Sequence, residues 1–409
     1  MGKSCSALKN KKFLVPFILL LIIIFIFVCY LLESRFFLIG KTIFPVYRFL
    51  NNAGIENALQ TNPGNTISTG GMQNGAASDK NTSEAALQPA DAQAIDTIVY
   101  CDYYTWHNKA RWERGYSEEP VLGFYDSLDP EVISTHIEWA SEYGIDVFKI
   151  EYYPQLDDSM LGGIFASPSG DVSLCLMYDS RLRFENVGYP KPPYDFDDPV
   201  ISDTFKNDIL HIAENYFSRQ NYFKIAGRPV LWLYVARDFT GSYTKVIEDV
   251  REQLGKKGYD IYLVGDAVFW NYRLPLIRAF DAVSCYSAYG GRPQNSAAFA
   301  DRLKFLYMVW EISARFFGKD FIPSAIPGYD DRCLEAERPS LPVLSGTADD
   351  FNYQLNIIKA FLDPVNISPQ ITQVSIATFN EHQEGTSVEP SLPWGIERIK
   401  QITEIFGSN

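Results

Sequence analysis

From Thr97 onward, β-type runs alternate with helix-length segments to the end of the chain, and this alternation restricts the fold more than any other feature. Ile98–Tyr104 reads as a first strand. Asp129–Gly144 reads as a helix: Asp129 is suited to cap it, Pro130 to sit in its first turn and Gly144 to end it. Ile133, His136, Ile137 and Ala140 share one face of that helix. Ile145–Tyr153 follows at once as a second strand, and strand, helix and strand with short connections make a βαβ unit. Further strand-like runs are Val172–Tyr178, Pro229–Val235, Ile261–Val264, Ala282–Tyr286, Phe321–Ile326 and Gln373–Phe379. Helix-like segments are Phe205–Ser218, Tyr243–Gly255, Ala297–Phe317, Ala348–Leu362 and Ile396–Phe406. Eight strands with about as many helices predict an α/β fold, a (β/α)8 TIM barrel over residues 96–409, with an open doubly wound sheet as the alternative.

The first 95 residues follow other rules. Phe13–Leu32 is a run of twenty residues without a charge, long enough at about 1.5 Å per residue to cross a hydrocarbon layer about 30 Å thick. Lys3, Lys9, Lys11 and Lys12 precede it, so the positive-inside bias holds the N-terminus in the cytoplasm. A cleaved signal peptide would end at small residues, whereas this run ends Cys29-Tyr-Leu-Leu-Glu33. The expected organisation is a cytoplasmic tail (1–12), a transmembrane signal anchor (13–32), a juxtamembrane segment and stem (33–95), and the barrel. The stem is expected from its Gly, Asn, Ala, Ser and Thr content over residues 51–95. That organisation predicts a single-pass type II membrane protein with its large domain lumenal or extracellular: a Golgi membrane in a eukaryote, the outward face of the cell membrane in a prokaryote.

A formal charge of −14 argues against a nucleic-acid partner, which requires a basic face. Six cysteines without a Cys-x-x-Cys, and four histidines spread along the chain, give no metal-ligand pattern, and neither a metal nor a cofactor is expected. Gly-x-Ser-x-Gly, phosphate-loop and dinucleotide motifs are absent. Asp195-Phe-Asp197 matches the Asp-x-Asp by which many anchored glycosyltransferases hold a metal-bound nucleotide sugar, but it lies in a loop bounded by Pro193 and Pro199.

In a barrel, function sits at the C-terminal ends of the strands. The last strand delivers Glu381 and Glu384 into a Gly-containing turn, with a third acid, Glu389, just beyond. Other strands end in Asp102, Tyr103, Tyr104 and Trp106; in Lys149, Glu151, Tyr152 and Tyr153; and in Tyr178 and Asp179. Tyr286, Tyr329 and Asn380 complete the candidates. Carboxyls with aromatic faces suit a carbohydrate, which offers hydroxyls to bond, apolar faces to stack and an oxygen to protonate.

Several stretches carry a family likeness: Tyr103-Tyr-Thr-Trp106, Leu122-Gly-Phe-Tyr-Asp-Ser-Leu-Asp-Pro-Glu-Val132, Arg228-Pro-Val230, Pro323-Ser-Ala-Ile-Pro-Gly-Tyr-Asp-Asp-Arg332 and, above all, Thr378-Phe-Asn-Glu-His-Gln-Glu-Gly-Thr-Ser-Val-Glu-Pro390. Over about 98–395 the chain resembles glycoside hydrolase family 99, the endo-α-1,2-mannosidases and mannanases, and more distantly family 71 and WbsX-like relatives. The resemblance implies an endo-acting, retaining glycosidase on an α-linked glycan. Glu384 would be its general acid/base, and Glu381 the base that deprotonates the sugar's 2-hydroxyl. It also implies substrate contacts from Tyr103, Tyr104 and Tyr286, and the strand-end reading adds Glu151, Tyr178, Asp179, Tyr329 and Asn380. Two departures stand out. Where the family has Trp-His between the two glutamates this chain has His382-Gln383, and the third strand ends Cys175-Leu-Met-Tyr-Asp179 where the family has a His-x-Glu-Pro-Tyr-like segment. A glycan-binding or polysaccharide-assembly barrel without catalysis is the alternative.

Overall fold

Local signals set the elements. In the computed structural model, which describes residues 95–152, 158–167, 170–290, 294–334 and 343–407, the chain enters on β1 (Asp96–Tyr103) and makes one short helical turn, α1 (Lys109–Trp112). The expected helix forms as α2 (Pro130–Glu142): the Asp129 carboxylate accepts from the Glu131 amide, and Gly144 takes φ +70° just past its end. Its buried face is Ile133, His136, Ile137 and Ala140, as the periodicity requires. The next long helix, α3 (Pro199–Tyr216), starts six residues earlier than hydrophobic spacing suggests, because Asp198 caps it and Pro199 fills its first position. It is followed by α4 (Tyr243–Lys256), α5 (Ser296–Phe316), α6 (Ala348–Lys359) and α7 (Glu397–Phe406).

The strands between are β2 (Val147–Tyr152), β3 (Ser173–Tyr178), β4 (Arg228–Leu233), β5 (Tyr262–Asp266) and β6 (Ala282–Ser284). Last come β7, in two pieces (Asp320–Phe321 and Ser324–Ala325), and β8 (Ile371–Ile376). All pair in parallel, and the hydrogen-bonded path runs from the first piece of β7 through β6, β5, β4, β3, β2, β1 and β8 to the second piece of β7. The two ends of the sheet are therefore halves of one segment, separated by Ile322 and Pro323. Pro323 has no amide hydrogen to give, but its carbonyl accepts from the Ser375 amide of β8 (3.0 Å), while the Ile322 amide reaches Val283 of β6 (3.0 Å). This curled parallel sheet with flanking helices is consistent with a (β/α)8 fold.

Alternation along each strand fills the interior. Tyr100 of β1 donates to Gln373 of β8 (2.8 Å), Gln373 to Tyr262 of β5 (3.1 Å), and Tyr262 to Asp320 of β7 (2.5 Å). Nearer the mouth, Lys149 of β2 pairs with Asp102 of β1 at 2.9 Å, donates to Ser375 of β8, and lies 4.0 Å from the ring centroid of Trp232 of β4. Cys101, Cys175 and Cys285 are buried free thiols. The expected tail, anchor and stem lie outside the described residues, among which no helix is long and apolar enough to cross a membrane.

Candidate active site

The segment after β8 folds back on itself. The Thr378 amide reaches the Thr386 carbonyl (2.9 Å), the Val388 amide the Thr378 carbonyl (3.0 Å), and the Glu389 amide the Phe379 carbonyl (2.8 Å). Gly385 makes the reversal at φ +65°, where a side chain would press on Ser117 Oγ at 2.9 Å. From Thr372 to Ser391 every residue is buried except Glu384, which is half-exposed.

Glu381 and Glu384 thus share one turn in unlike surroundings. The Glu381 carboxylate is 2% exposed and accepts from the Gln383 amide (3.0 Å). Burial, and then the neighbouring Glu384, push the Glu381 carboxyl far above its ordinary value, to about 8, with Arg111 pulling the other way. Burial and the second carboxyl beside it therefore keep a proton on Glu381 at neutral pH.

Further acids face the pair. Glu151, at the end of β2, is buried and bonded to Asp179, the residue following β3; burial and then Asp179 raise its carboxyl well above the usual range. Aromatic side chains stand beside these acids. Tyr104 stacks on Trp106 with centroids 4.2 Å apart and donates to the Tyr286 hydroxyl (3.1 Å). Burial raises both phenols well above 10, so each stays a neutral donor. Tyr234 meets Tyr286 edge to face at 5.5 Å.

The structure does not bring every expected residue to the mouth. Tyr103 and Tyr178 point the other way, to the helix layer: Tyr103 Oη lies 3.0 Å from His136 Nδ1 on α2, and Tyr178 donates to Asp208 on α3 (2.8 Å). The reason is the two-residue period of a strand. Tyr100, Asp102 and Tyr104 point inward on β1, so Tyr103 points outward; Asp179 faces Glu151 beyond β3, so Tyr178 does not. Asn380 is a clamp beneath the site, its side chain bonded to both the amide (2.8 Å) and the carbonyl (2.9 Å) of Tyr104. Tyr329 donates to Asp331 (3.0 Å) and packs on Tyr289 at the rim. Tyr153 lies outside the described residues.

Three histidines that look scattered in sequence converge under the turn. His382 Nε2 is 2.8 Å from one Glu389 oxygen, which also accepts from Tyr125 (2.7 Å), and His136 Nε2 is 3.3 Å from the other. Despite its burial, these histidines hold the Glu389 carboxyl far below the usual range. His107 donates from Nε2 to the Asn380 carbonyl (2.6 Å) and stacks on Trp112; burial, then His382, lower it to about 3. Glu118 and Arg398 make a further buried ion pair (2.8 Å), and Arg398 also donates to the Ser387 carbonyl, tying α7 to the turn. Glu389 and its partners escaped the sequence reading because they are brought together by tertiary packing; the one signal was an acid five residues after Glu384.

Asp195 and Asp197 serve the backbone. Asp195 accepts from the Asp197 amide (3.0 Å) and Asp197 from the Ser242 amide (3.1 Å), while Phe196 between them is buried in an aromatic cluster with Phe239. Among the described residues no group of three or more His, Cys, Asp or Glu side chains is placed to hold a metal ion.

A family model described as glycosyl hydrolase family 99 matches residues 96–403. Among curated proteins, a glycoprotein endo-alpha-1,2-mannosidase of Xenopus laevis is 24% identical over 297 residues, which is 69% of this chain and 60% of that protein. A glycoprotein endo-alpha-1,2-mannosidase-like protein of Homo sapiens is 26% identical over 298 residues, 68% of this chain and 58% of that protein. The matched region therefore spans about three-fifths of the length of these relatives. Among solved structures, a family 99 endo-alpha-mannosidase of Bacteroides thetaiotaomicron superposes with a TM-score of 0.57 at 17% identity, covering 76% of this chain and 96% of that one. A glycoside hydrolase-like protein gives 0.62 at 18% identity, covering 80% and 98%.

Proposed function

The chain belongs to glycosyl hydrolase family 99, and on that premise we propose that it is an endo-acting, retaining glycosidase that cleaves an α-linked glycan, α-1,2-mannosidic in its nearest chemistry. One observation carries this reading: two glutamates in a single turn at the C-terminal end of β8, one buried and one half-buried. Glu381 removes the proton of the sugar's 2-hydroxyl, and that oxygen attacks the anomeric carbon. The bond to the leaving oxygen breaks as Glu384 protonates it, leaving a 1,2-anhydro sugar. Water then opens the ring at the anomeric carbon, giving its proton to Glu384 while Glu381 returns one to the 2-oxygen. Two inversions leave the configuration retained without a glycosyl-enzyme bond, unlike the common double-displacement scheme. The reacting form carries the single proton of the pair on Glu384 and leaves Glu381 ionised, so the rate falls as pH rises past the upper titration of the pair, where that proton is lost. Neutral Tyr104 and Tyr286, and the acids Glu151 and Asp179, supply hydrogen bonds to the sugar hydroxyls.

The finer reading is a complete (β/α)8 barrel held outside the cytosol by Phe13–Leu32, a single-pass type II anchor, with a flexible stem between. The apolar run and the four lysines before it support this. The host decides between a Golgi membrane and an outward-facing cell membrane.

The test is a panel of defined α-mannosides and other α-linked oligosaccharides incubated with the purified chain, with products read by mass. Glu384→Gln and Glu381→Gln should each lower turnover at least about 100-fold while the melting temperature holds. Full turnover in either variant would overturn the assignment; binding without hydrolysis by the wild type would leave a glycan-binding barrel.

A further inference from the structure

Resting on the glycosidase reading, we infer that Arg111 is a positioning residue for the Glu381–Glu384 pair and that Gln383, the residue just before Glu384, holds it there. The Gln383 side-chain amide donates to the carbonyls of Arg111 (3.0 Å) and Gly115 (2.8 Å), gripping the loop after β1 at two points. Asn108 accepts from the Arg111 amide (3.0 Å) and fixes the start of α1. The guanidinium lies 4.7 Å from the Trp106 ring centroid, and Trp106 stacks in turn on Tyr104. Its Nε is buried and has no hydrogen-bond partner among the described residues, so the group is held by stacking and by its loop.

Other cations near the mouth are committed elsewhere: Lys149 to Asp102, Arg237 to Asp266 and Arg398 to Glu118. Burial lowers the Arg111 guanidinium, while Glu381 first, and then Glu151 and Glu384, act in the opposite sense. The remaining charged and titratable groups around the pair are Asp179 with Glu151 and the Asp102–Lys149 pair. Tyr234 and Tyr286 face Glu384, Cys333 of the loop after β7 faces Glu381, and Arg114 stands beside Arg111. Apart from Arg111 and Arg114, none of these brings an unpaired positive charge. Gln383 is also a departure from the family motif, which has His at that place, so the grip is a property of this chain.

The experiment is a pH titration of the full chain labelled with 13C at the glutamate carboxyls, followed by NMR, with Glu381 and Glu384 assigned through their Gln variants. Arg111→Gln should move the Glu381 titration up by about one pH unit, since a cation that favoured the carboxylate is gone. Arg111→Lys should keep it near the wild-type position, and Gln383→Ala should move it upward by less. The alkaline limb of the pH–rate profile should move up with it, and the rate below that limb should fall by up to about tenfold, because Glu381 gives up its proton less readily. An unmoved titration in a folded Arg111→Gln variant overturns the inference. Should that variant fail to fold, Gln383→Ala decides in the same way. A shift in a chain that hydrolyses no glycan leaves the positioning role intact and removes the glycosidase reading instead.

Discussion

Glu389→Gln is the perturbation on which the buried network under the turn stands or falls. The carboxylate accepts from Tyr125 and His382 on one oxygen and faces His136 on the other. Glutamine keeps the shape but replaces one acceptor by an NH2 group, which must then meet a donor on one side or the other. Hydrogen bonds to a charged group are worth about 1.5–3 kcal/mol, and leaving a buried partner unpaired adds to that, so the variant should lose about 3 kcal/mol. With an unfolding entropy of about 2 cal/mol/K per residue over roughly 300 folded residues, that is a fall of about 5 °C in melting temperature. The pH dependence has a definite sign. The Glu389 carboxyl is lowered in the folded state, so its contribution is complete above the unfolded value of about 4.3 and is lost as pH falls below it. Calorimetric melts of both proteins should show a constant gap from about pH 8 to about pH 5 that narrows under acid. A gap below about 1 °C at neutral pH, or one that widens as the pH falls, would refute the reasoning.

Two other perturbations test neighbouring claims. A Cβ on Gly265 of β5 would sit 2.4 Å from two ring carbons of Phe280, so Gly265→Ala should cost about 1–3 kcal/mol, and adding Phe280→Leu should restore part of it in thermal melts. Asp197→Ala removes one turn hydrogen bond, so it should change stability by less than about 1.5 kcal/mol; calorimetry should show no manganese-dependent nucleotide-sugar binding before or after the change, and such binding would revive the transferase alternative.

Much of the architecture was legible from local chemistry. Asp129, Pro130 and Gly144 bracket α2 as a cap, a first-turn proline and a left-handed stop. Glu381 and Glu384 lie where the sequence put them, in a Gly-containing turn after the last strand. The errors have one source in period and another in packing. Tyr103 and Tyr178 were assigned to the mouth because they end strands, yet counting by twos from Asp102 and Asp179 sends both outward. No such count finds Glu389, whose partners Tyr125, His136 and His382 come from the loop after β1, from α2 and from the turn itself. Arg111 was hidden for a related reason: four residues of α1 carry no periodic signal, and only the grip of Gln383 reveals its importance. The break in β7 was invisible because the run Phe321–Ile326 is mostly apolar, and Pro323 there looks like a defect before its carbonyl is seen bonded to β8.

The partial exposure of Glu384 in an otherwise buried stretch bears on how protons would travel in the proposed reaction. On the proposed chemistry the group that hands a proton to the departing oxygen is recharged from bulk water between turnovers, and Glu384 is the one residue from Thr372 to Ser391 that is not buried. Glu381, buried in the same turn, would exchange with the sugar or through its neighbour. On that reading deuterium from solvent enters by way of Glu384, and two carboxyls three positions apart in sequence stand in series on one proton path.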